Sequence, residues 1–172
     1  TLLNHLVNHD GMGETAVIIN EFGEVGLDHL LVDSAFEDTV LMQSGCICCS
    51  IRGDLIDTLN DLLHRVDLGE LPKFTRVVIE TTGLADPSPV MQSVMSDPNV
   101  ANRFRLGGVV STVDAVNGIN QLDEYGEPVK QAAVAERIVM TKTDISSENE
   151  TESVTGRLRE INPASPIFKV VM

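Results

Sequence analysis

The chain has 172 residues, which suits a single domain with a sizeable hydrophobic core and no need for disulfide bonds. Its formal net charge of −14 argues against nucleic-acid binding, because affinity for a phosphate backbone comes largely from Lys and Arg. No apolar run is long enough to span a membrane, and the N-terminus lacks the basic and apolar regions of a signal peptide. We therefore expect a cytoplasmic α/β protein with reduced thiols and without membrane or nucleic-acid partners.

The apolar pattern predicts alternating helices and strands along the chain. A first helix is predicted over residues 1–9, with His5 and His9 one turn apart and interpreted as surface residues. Two further helices are predicted, one with an apolar face from Leu55 to Leu63 and one over residues 147–161. Predicted strands lie at 15–20, 39–43 and 76–80, and within 104–115, 137–144 and 165–171. This alternation implies right-handed crossovers and a mostly parallel sheet with helices on both faces.

Chemically versatile side chains cluster at the ends of the predicted strands. Each of five such residues ends or closely follows an apolar strand, namely Glu21, Cys46, Glu80, Asp114 and Lys142. In open α/β sheets, ligands bind in the loops at the carboxyl ends of the strands. The five segments therefore indicate a ligand-binding edge of the sheet.

All three cysteines lie in the stretch SGCICCS, residues 44–50, directly after the strand predicted at 39–43. Their odd number and close spacing disfavour a disulfide, because Cys48 and Cys49 are adjacent and a bridge from Cys46 to Cys48 would close a very tight ring. A redox pair of Cys46 with Cys49, and inert packing, are the alternatives to metal ligation. Zinc is the commonest tetrahedral ion that thiolates select, and cobalt or nickel is also compatible with such a site.

The sequence TKTD, from Thr141 to Asp144, ends a predicted strand. The Asp144 carboxylate can accept hydrogen bonds from guanine N1–H and the exocyclic amine, while the aliphatic stem of Lys142 packs along the base. Adenine offers no matching pair of donors, so two charge-assisted bonds would favour guanine by roughly 10² to 10⁴. The alternative interpretation is a solvated strand end.

Two acidic segments also follow predicted strands. In VVIETTG, Glu80 is placed to hold Mg²⁺ through water and the Gly83 N–H to approach a γ-phosphate, and the alternative is a Glu in a turn. In INEFGEVGLD, Glu21, Glu24 and Asp28 share one loop. That loop is either a solvated acidic segment, part of a metal site with the cysteines, or a sensor of nucleotide-bound magnesium.

The chain resembles the CobW-like family of P-loop GTPases, relatives of the nickel-insertion GTPases HypB and UreG. Seven segments carry the resemblance, in the family's order and over nearly the whole chain: TLLNHLV, NEFGEVGLD, GCICC, ETTGLADPSPV, VDAV, TKTD and INPASPIF. The Cys-x-Cys-Cys motif between a strand and a helix is the most specific of them. The resemblance implies a P-loop NTPase-like fold and a metallochaperone or metal-insertion GTPase that serves a client metalloprotein or a metal-dependent pathway enzyme.

The resemblance also implies a metal site that is coupled to the nucleotide. Cys46, Cys48 and Cys49 would bind the metal, and the fourth position would be taken by Glu21, Glu24, water or a ligand of the client. GTP and Mg²⁺ would order the loops around Glu21 and Gly83 and so change the fourth ligand and the metal affinity.

Further roles follow for the nucleotide site. Glu80 would be the magnesium-associated acid, and Gly83 would lie in the switch that meets the γ-phosphate. Lys142 and Asp144 would recognise guanine, with Thr141 where many GTPases carry Asn. Asn162 would lie in a further loop that meets the edge of the guanine.

Two parts of the family pattern lie outside residues 1–172. A Gly-rich phosphate loop would precede TLLNHL and a smaller C-terminal domain would follow Met172, so we expect a GTPase domain truncated at its N-terminus. Such a chain should bind GTP poorly by itself, and activity is expected of the parent protein. The rival hypotheses are a non-catalytic zinc-binding or scaffold module derived from a GTPase, and a thiol redox sensor. The oligomeric state, including a homodimer, is open.

Overall fold

The computed structural model describes residues 2–20, 39–41, 47–50, 55–83 and 85–171. Within these ranges the helices are α1 (Leu2–Val7), α2 (Leu55–Asp67), α3 (Pro87–Ser96), α4 (Pro98–Arg103), α5 (Gly118–Glu124), α6 (Gly126–Val134) and α7 (Glu148–Ile161). The strands are β1 (Thr15–Asn20), β2 (Thr39–Leu41), β3 (Ile47–Ser50), β4 (Arg76–Thr81), β5 (Val110–Asp114), β6 (Arg137–Thr141) and β7 (Ile167–Lys169). The chain divides into two compact units, unit 1 (Thr1–Thr82 with Asp97–Arg103) and unit 2 (Gly83–Ser96 with Phe104–Met172).

Unit 1 contains a four-stranded sheet in the order β2-β3-β1-β4. The pairs β1–β3 and β1–β4 are parallel, and β2 runs antiparallel to β3. β1 lies between β3 and β4, and its residues Ala16, Val17 and Ile18 are completely buried. A short run of β-branched residues is typical of such an enclosed parallel strand, which needs apolar side chains on both faces.

The helix α2 of unit 1 has one apolar face. Leu55, Leu59 and Leu62 are buried on it, while Asp57 and Asp61 on the other side are exposed. This distribution is the one that a period of 3.6 residues predicts, and it confirms the face proposed from the sequence. An ion pair of Asp67 Oδ1 with Arg103 Nη2, at 3.0 Å, joins the end of α2 to α4.

Unit 2 contains the parallel sheet β5-β6-β7. Its core is a cluster of small and medium apolar side chains from the strands and the helices α5, α6 and α7, namely Val113, Ala115, Leu122, Ala132, Ala135, Ile138, Met140, Val154 and Leu158. α5 begins at Gly118, where an added Cβ would lie 3.0 Å from Val113 and 3.2 Å from Val154. A larger residue there would force α5 away from the core, because protein interiors have no spare volume.

A capping box begins α7. The Ser147 hydroxyl accepts a hydrogen bond from the Glu150 N–H at 3.2 Å, and the Glu150 carboxylate accepts one from the Ser147 N–H at 2.7 Å. Both bonds satisfy N–H groups that have no partner within the helix. They place the start of α7 one residue after the beginning of the predicted range.

The structure differs from the sequence predictions at two places, and part of one predicted strand cannot be compared. The first helix ends at Val7, and His9 instead caps a 3₁₀ turn, with its Nδ1 accepting a bond from the Gly11 N–H at 3.0 Å. The prediction that His5 and His9 share a helix is therefore wrong, although both are exposed as expected. β3 was not predicted, because a four-residue strand with two cysteines carries little β propensity of its own. Residues 42–43 of the second predicted strand lie outside the described residues.

The α/β class and the mostly parallel pairing are confirmed, since every described strand pair except β2–β3 is parallel. Among the helices in the described ranges, none is both long and apolar enough to cross a membrane.

Candidate nucleotide and metal site

The TKTD segment forms a tight turn directly after β6. Lys142 adopts a left-handed backbone conformation with φ of 58°, and its carbonyl accepts hydrogen bonds from the N–H groups of Ile145 and Ser146. The Thr143 hydroxyl donates to the Val170 carbonyl at 3.0 Å, which joins the turn to the segment after β7. Asp144 lies exposed in this turn, so its carboxylate is accessible to a ligand.

β5 holds the other side of this turn. The Ala115 N–H donates to the Thr141 carbonyl at 2.9 Å, and the Thr141 hydroxyl donates to the Val113 carbonyl at 3.4 Å. Lys142 Nζ lies 2.7 Å from Asp114 Oδ2. The carboxyl ends of β5 and β6 are thus linked by main-chain and side-chain bonds, and these bonds fix the Lys142 side chain at the strand ends.

Asp114 is the most densely hydrogen-bonded acid of the turn region. Its Oδ1 accepts from the N–H groups of Val116 at 2.8 Å and Asn117 at 3.3 Å, and its Oδ2 accepts from Asn117 Nδ2 at 3.0 Å as well as from Lys142. Burial raises the pKa of this carboxyl, but the hydrogen bonds from Lys142, Asn117 and the Val116 N–H outweigh it and lower the pKa to about 2. Asp114 is therefore ionised at neutral pH and keeps Lys142 in place.

Asn162 is half-buried at the C-terminal end of α7. Its side-chain amide donates to the carbonyls of Ala132 at 3.0 Å and Ala135 at 2.8 Å, at the end of α6, and its Oδ1 accepts from the Ser165 N–H at 3.1 Å. Both ends of the amide are thus used within the protein. This arrangement favours a role for Asn162 in shaping the loop after α7, while its predicted contact with guanine stays a prediction.

Glu80 and Gly83 lie at and after the end of β4, and their roles at a phosphate site stay predictions. Glu80 is exposed near the end of β4 and pairs in register with Ile19 of β1. The Gly83 carbonyl accepts a hydrogen bond from Gln131 Nε2 at 3.1 Å, and Gln131 also donates to the Ala85 carbonyl at 2.8 Å. An added Cβ at Gly83 would contact nothing within 4 Å, so the space beside this residue is open.

The predicted metal ligands lie largely outside the described residues. Cys46, Glu21 and Glu24 are outside them, and for Cys48 and Cys49 the structure describes the backbone only. That backbone is part of β3, where the sequence predicted a loop after the strand at 39–43. Within the described part of the chain, no group of three His, Cys, Asp or Glu side chains is arranged to hold a metal ion. The cysteine site remains a prediction.

No partner for Asp114 and no role for Asn117 or Gln131 is predicted from the sequence. The pattern Asp-x-x-Asn after a strand is a usable signal, since an Asp there accepts bonds from N–H groups two and three residues later. Gln131 lies on a helix 48 residues from Gly83, and no local pattern indicates such a contact.

Comparison with known proteins places these features in a family context. The family model for the nucleotide-binding domain of CobW, HypB and UreG matches residues 1–169. The zinc chaperone YjiA of Escherichia coli is 40% identical over 170 residues, which cover 99% of this chain and 52% of YjiA. The zinc chaperone CobW of a Sinorhizobium species is 28% identical over 191 residues, covering 95% of this chain and 52% of the relative.

Two further comparisons agree with these. The zinc-regulated GTPase metalloprotein activator 1 of Schizosaccharomyces pombe is 28% identical over 176 residues, covering 98% of this chain and 42% of that protein. The crystal structure of Zn(II)-bound YjiA GTPase superposes with a TM-score of 0.79 at 38% identity, covering 98% of this chain and 52% of that one. The chain thus spans about half the length of the relatives it matches. It belongs to the CobW/HypB/UreG nucleotide-binding domain family.

Proposed function

We propose that this chain is the nucleotide-binding part of a GTP-hydrolysing zinc chaperone, in which the nucleotide controls zinc held by the Cys-x-Cys-Cys motif. The observation that carries the proposal is the 40% identity to a zinc chaperone over 170 residues. A match of this extent includes every segment for which the sequence predicts a role. Zinc is here the cargo that is delivered to a client metalloprotein.

The turn after β6 supports the choice of guanine. An exposed Asp144 carboxylate can accept two hydrogen bonds from the N1–H and exocyclic amine of guanine, and adenine cannot supply them. The Lys142 side chain is 53% exposed although its ammonium is bonded to Asp114, so its aliphatic stem is available to pack against a flat ring. These residues fit a guanine nucleotide, and Thr141 contributes by binding the turn to β5.

For hydrolysis, Glu80 and Gly83 have the chemistry that the phosphates require. A carboxylate at the end of β4 would hold the hydrated Mg²⁺ that accompanies GTP, and the ion would neutralise charge on the phosphate oxygens. The Gly83 N–H would donate to the γ-phosphate. The Gln131 side chain, which donates to the carbonyls of Gly83 and Ala85, joins this segment to α6.

The proposed zinc ligands are Cys46, Cys48 and Cys49, with Glu21 or Glu24 as candidates for the fourth position. Three thiolates with one exchangeable ligand suit a protein that must release its ion, whereas a site of four cysteines would hold zinc tightly. Cobalt would be accepted by the same donors with lower preference.

The guanine site is tested in the full-length protein by Asp144→Asn. We expect affinity for GTP to fall by roughly 10² to 10⁴, because two charge-assisted hydrogen bonds are lost. Affinity for xanthosine triphosphate should rise, since xanthine has a carbonyl where guanine has its amine and the new amide can donate to it. Asp123→Asn, which removes another exposed carboxylate of unit 2, is the matched control and should change neither affinity.

The metal site is tested by the combined change Cys48→Ala with Cys49→Ala. Zinc bound after purification in reductant should fall from near one per protein to near zero, while His5→Ala with His9→Ala should leave it unchanged. Zinc bound without any GTP hydrolysis by the full-length protein would instead establish the scaffold hypothesis. Reversible oxidation of Cys46 with Cys49 in a zinc-free protein would establish the redox sensor.

A further inference from the structure

Asp114 has no assigned role in the proposed nucleotide site, yet it contacts the residue expected to pack against the base. The distance from Lys142 Nζ to Asp114 Oδ2 is 2.7 Å, and the Asp114 side chain is only 15% exposed. Its other oxygen is fixed by the N–H groups of Val116 and Asn117. The carboxylate is therefore held by the backbone that leads into α5, and it holds the Lys142 ammonium in turn.

Lys142 needs such an anchor for two reasons. A lysine side chain has four rotatable bonds and loses much conformational freedom when it is held in one position. Its backbone also occupies the left-handed region, with φ of 58°, which non-glycine residues adopt at a cost. Bonding of the ammonium to a fixed carboxylate restricts the Lys142 side chain and adds to the hydrogen bonds that hold the turn.

We propose that Asp114 is a positioning residue of the guanine site, which holds the aliphatic stem of Lys142 in place as the surface on which the base packs. This inference rests on the proposed function, because it assumes that a guanine nucleotide binds at the turn after β6. Asp114 acts through Lys142 and does not touch the nucleotide. Asp144 selects the base by hydrogen bonding, and Asp114 contributes to affinity for any purine that packs against the stem.

The different roles proposed for Asp144 and Asp114 can be tested by comparing the binding of two purine nucleotides. Inosine diphosphate lacks the exocyclic amine of guanine, so the ratio of GDP to IDP affinity reports on Asp144 alone. In the full-length protein, Asp114→Asn keeps the acceptor for the Val116 and Asn117 N–H groups and removes the charge that binds Lys142. We expect the dissociation constants of GDP and IDP to rise by the same factor, on the order of 10-fold, with their ratio unchanged.

Lys142→Met keeps an apolar stem and removes the ammonium, so it should have the same effect as Asp114→Asn. The double variant should be no weaker than either single variant, because both changes remove the same bond. Lys142→Met also guards against a folding defect at Asp114, since the Lys142 side chain is largely exposed. Asp123→Asn, which breaks the ion pair of Asp123 with Arg157 in the same unit, is the matched control and should leave both affinities unchanged.

Three results would overturn the inference: unchanged affinities in Asp114→Asn, a changed ratio of GDP to IDP affinity, or effects of the two single variants that multiply in the double variant. Failure of the proposed guanine site is a separate outcome. It would be seen if Asp144→Asn left GDP and xanthosine diphosphate binding as in the unmodified protein, whatever the result at Asp114.

Discussion

Gly83 is a residue for which the fold itself gives no reason to use glycine. It is exposed, its φ lies outside the left-handed region, and an added Cβ would meet open space. An alanine is sterically acceptable to the protein alone at such a position. Glycine at this position is compatible with the close approach of a ligand, which in the proposed function is the γ-phosphate.

Gly83→Ala should therefore slow GTP hydrolysis without changing the stability of the fold. We expect the free energy of unfolding, measured in urea, to change by less than about 0.5 kcal/mol. The single-turnover rate of GTP hydrolysis should fall at least 10-fold, because a methyl group would stand where the phosphate must approach. Gly156→Ala on α7, which also meets open space, is the control and should leave hydrolysis unchanged. Normal hydrolysis by Gly83→Ala would exclude a close approach at this residue.

The ionised Asp114 carboxylate should make the free energy of unfolding depend on pH. Its folded-state pKa of about 2 lies below the ordinary value of 3.8, so it stabilises the folded protein above pH 4 and loses this contribution as the pH falls towards 2. The contribution is below about 2 kcal/mol, since Lys142 is more than half exposed and solvent screens the pair. The unfolding free energy between pH 5 and pH 2.5 should fall less in Asp114→Asn than in the unmodified protein. Equal losses would show that the pair does not contribute.

At the scale of elements, Asn162 connects the ends of two helices. Its amide donates to the carbonyls of Ala132 and Ala135 at the C-terminal end of α6, where carbonyls lack the i+4 N–H of a continuing helix. The side chain belongs to the residue that ends α7, so one amide satisfies acceptors of its neighbour and fixes the distance between the two helix ends.

Two substitutions at Asn162 should lower the free energy of unfolding by different amounts. Asn162→Ala removes the hydrogen bonds to the carbonyls of Ala132 and Ala135 and should lower the unfolding free energy by about 1–3 kcal/mol. Asn162→Asp should cost more, because a carboxylate would face carbonyl oxygens at the negative end of the α6 dipole. Urea unfolding at neutral pH measures both, with Asn149→Ala on the exposed side of α7 as the control. A loss in Asn162→Ala no larger than in this control would contradict the connecting role.

The sequence predicts long or strongly patterned elements well and the short ones poorly. The predicted bounds of β1 and α7 agree with the structure to within one residue, and the predicted apolar face of α2 is confirmed. A β-branched run and a leucine face each specify structure locally. β3 was missed because its pairing with β1 and β2, not its own residues, makes it a strand. The first helix was predicted too long, since the turn at His9 depends on a side-chain cap that apolar periodicity does not reveal.

In the candidate site too, local motifs are predictable from the sequence and long-range contacts are not. Thr141, Lys142 and Asp144 could be located from the sequence, because they follow an apolar strand in one short motif. Their support by Asp114 could not, because that contact joins residues 28 positions apart and depends on the register of β5 with β6. The use of the Asn162 amide within the fold depends likewise on the packing of α6 against α7.

At the scale of the whole molecule, the proposed function couples two ligands. If GTP changes zinc affinity by some factor, zinc must change GTP affinity by the same factor, because the coupling free energy belongs to the pair. We expect a factor of about 5 to 150, measured by titrating each ligand into the full-length protein with and without the other, using a non-hydrolysable GTP analogue.

The cysteine variants give this coupling experiment its control. Cys48→Ala with Cys49→Ala should abolish the effect of zinc on GTP binding and leave GTP affinity in the absence of zinc unchanged. Independent affinities in the unmodified protein would refute the coupling while leaving both binding sites intact.

The position of β3 inside its sheet has a consequence for chelation. The backbone of Cys48 is paired with Val17 on one side and Val40 on the other, and that of Cys49 with Ile18 and Thr39. Successive residues of a β-strand alternate between the two faces of a sheet, and Cys48 and Cys49 are consecutive in β3. Both could therefore bind one zinc ion only if β3 departs from this regular alternation. Zinc bound by both thiolates would then cost part of the hydrogen-bond ladder that joins β3 to its neighbours.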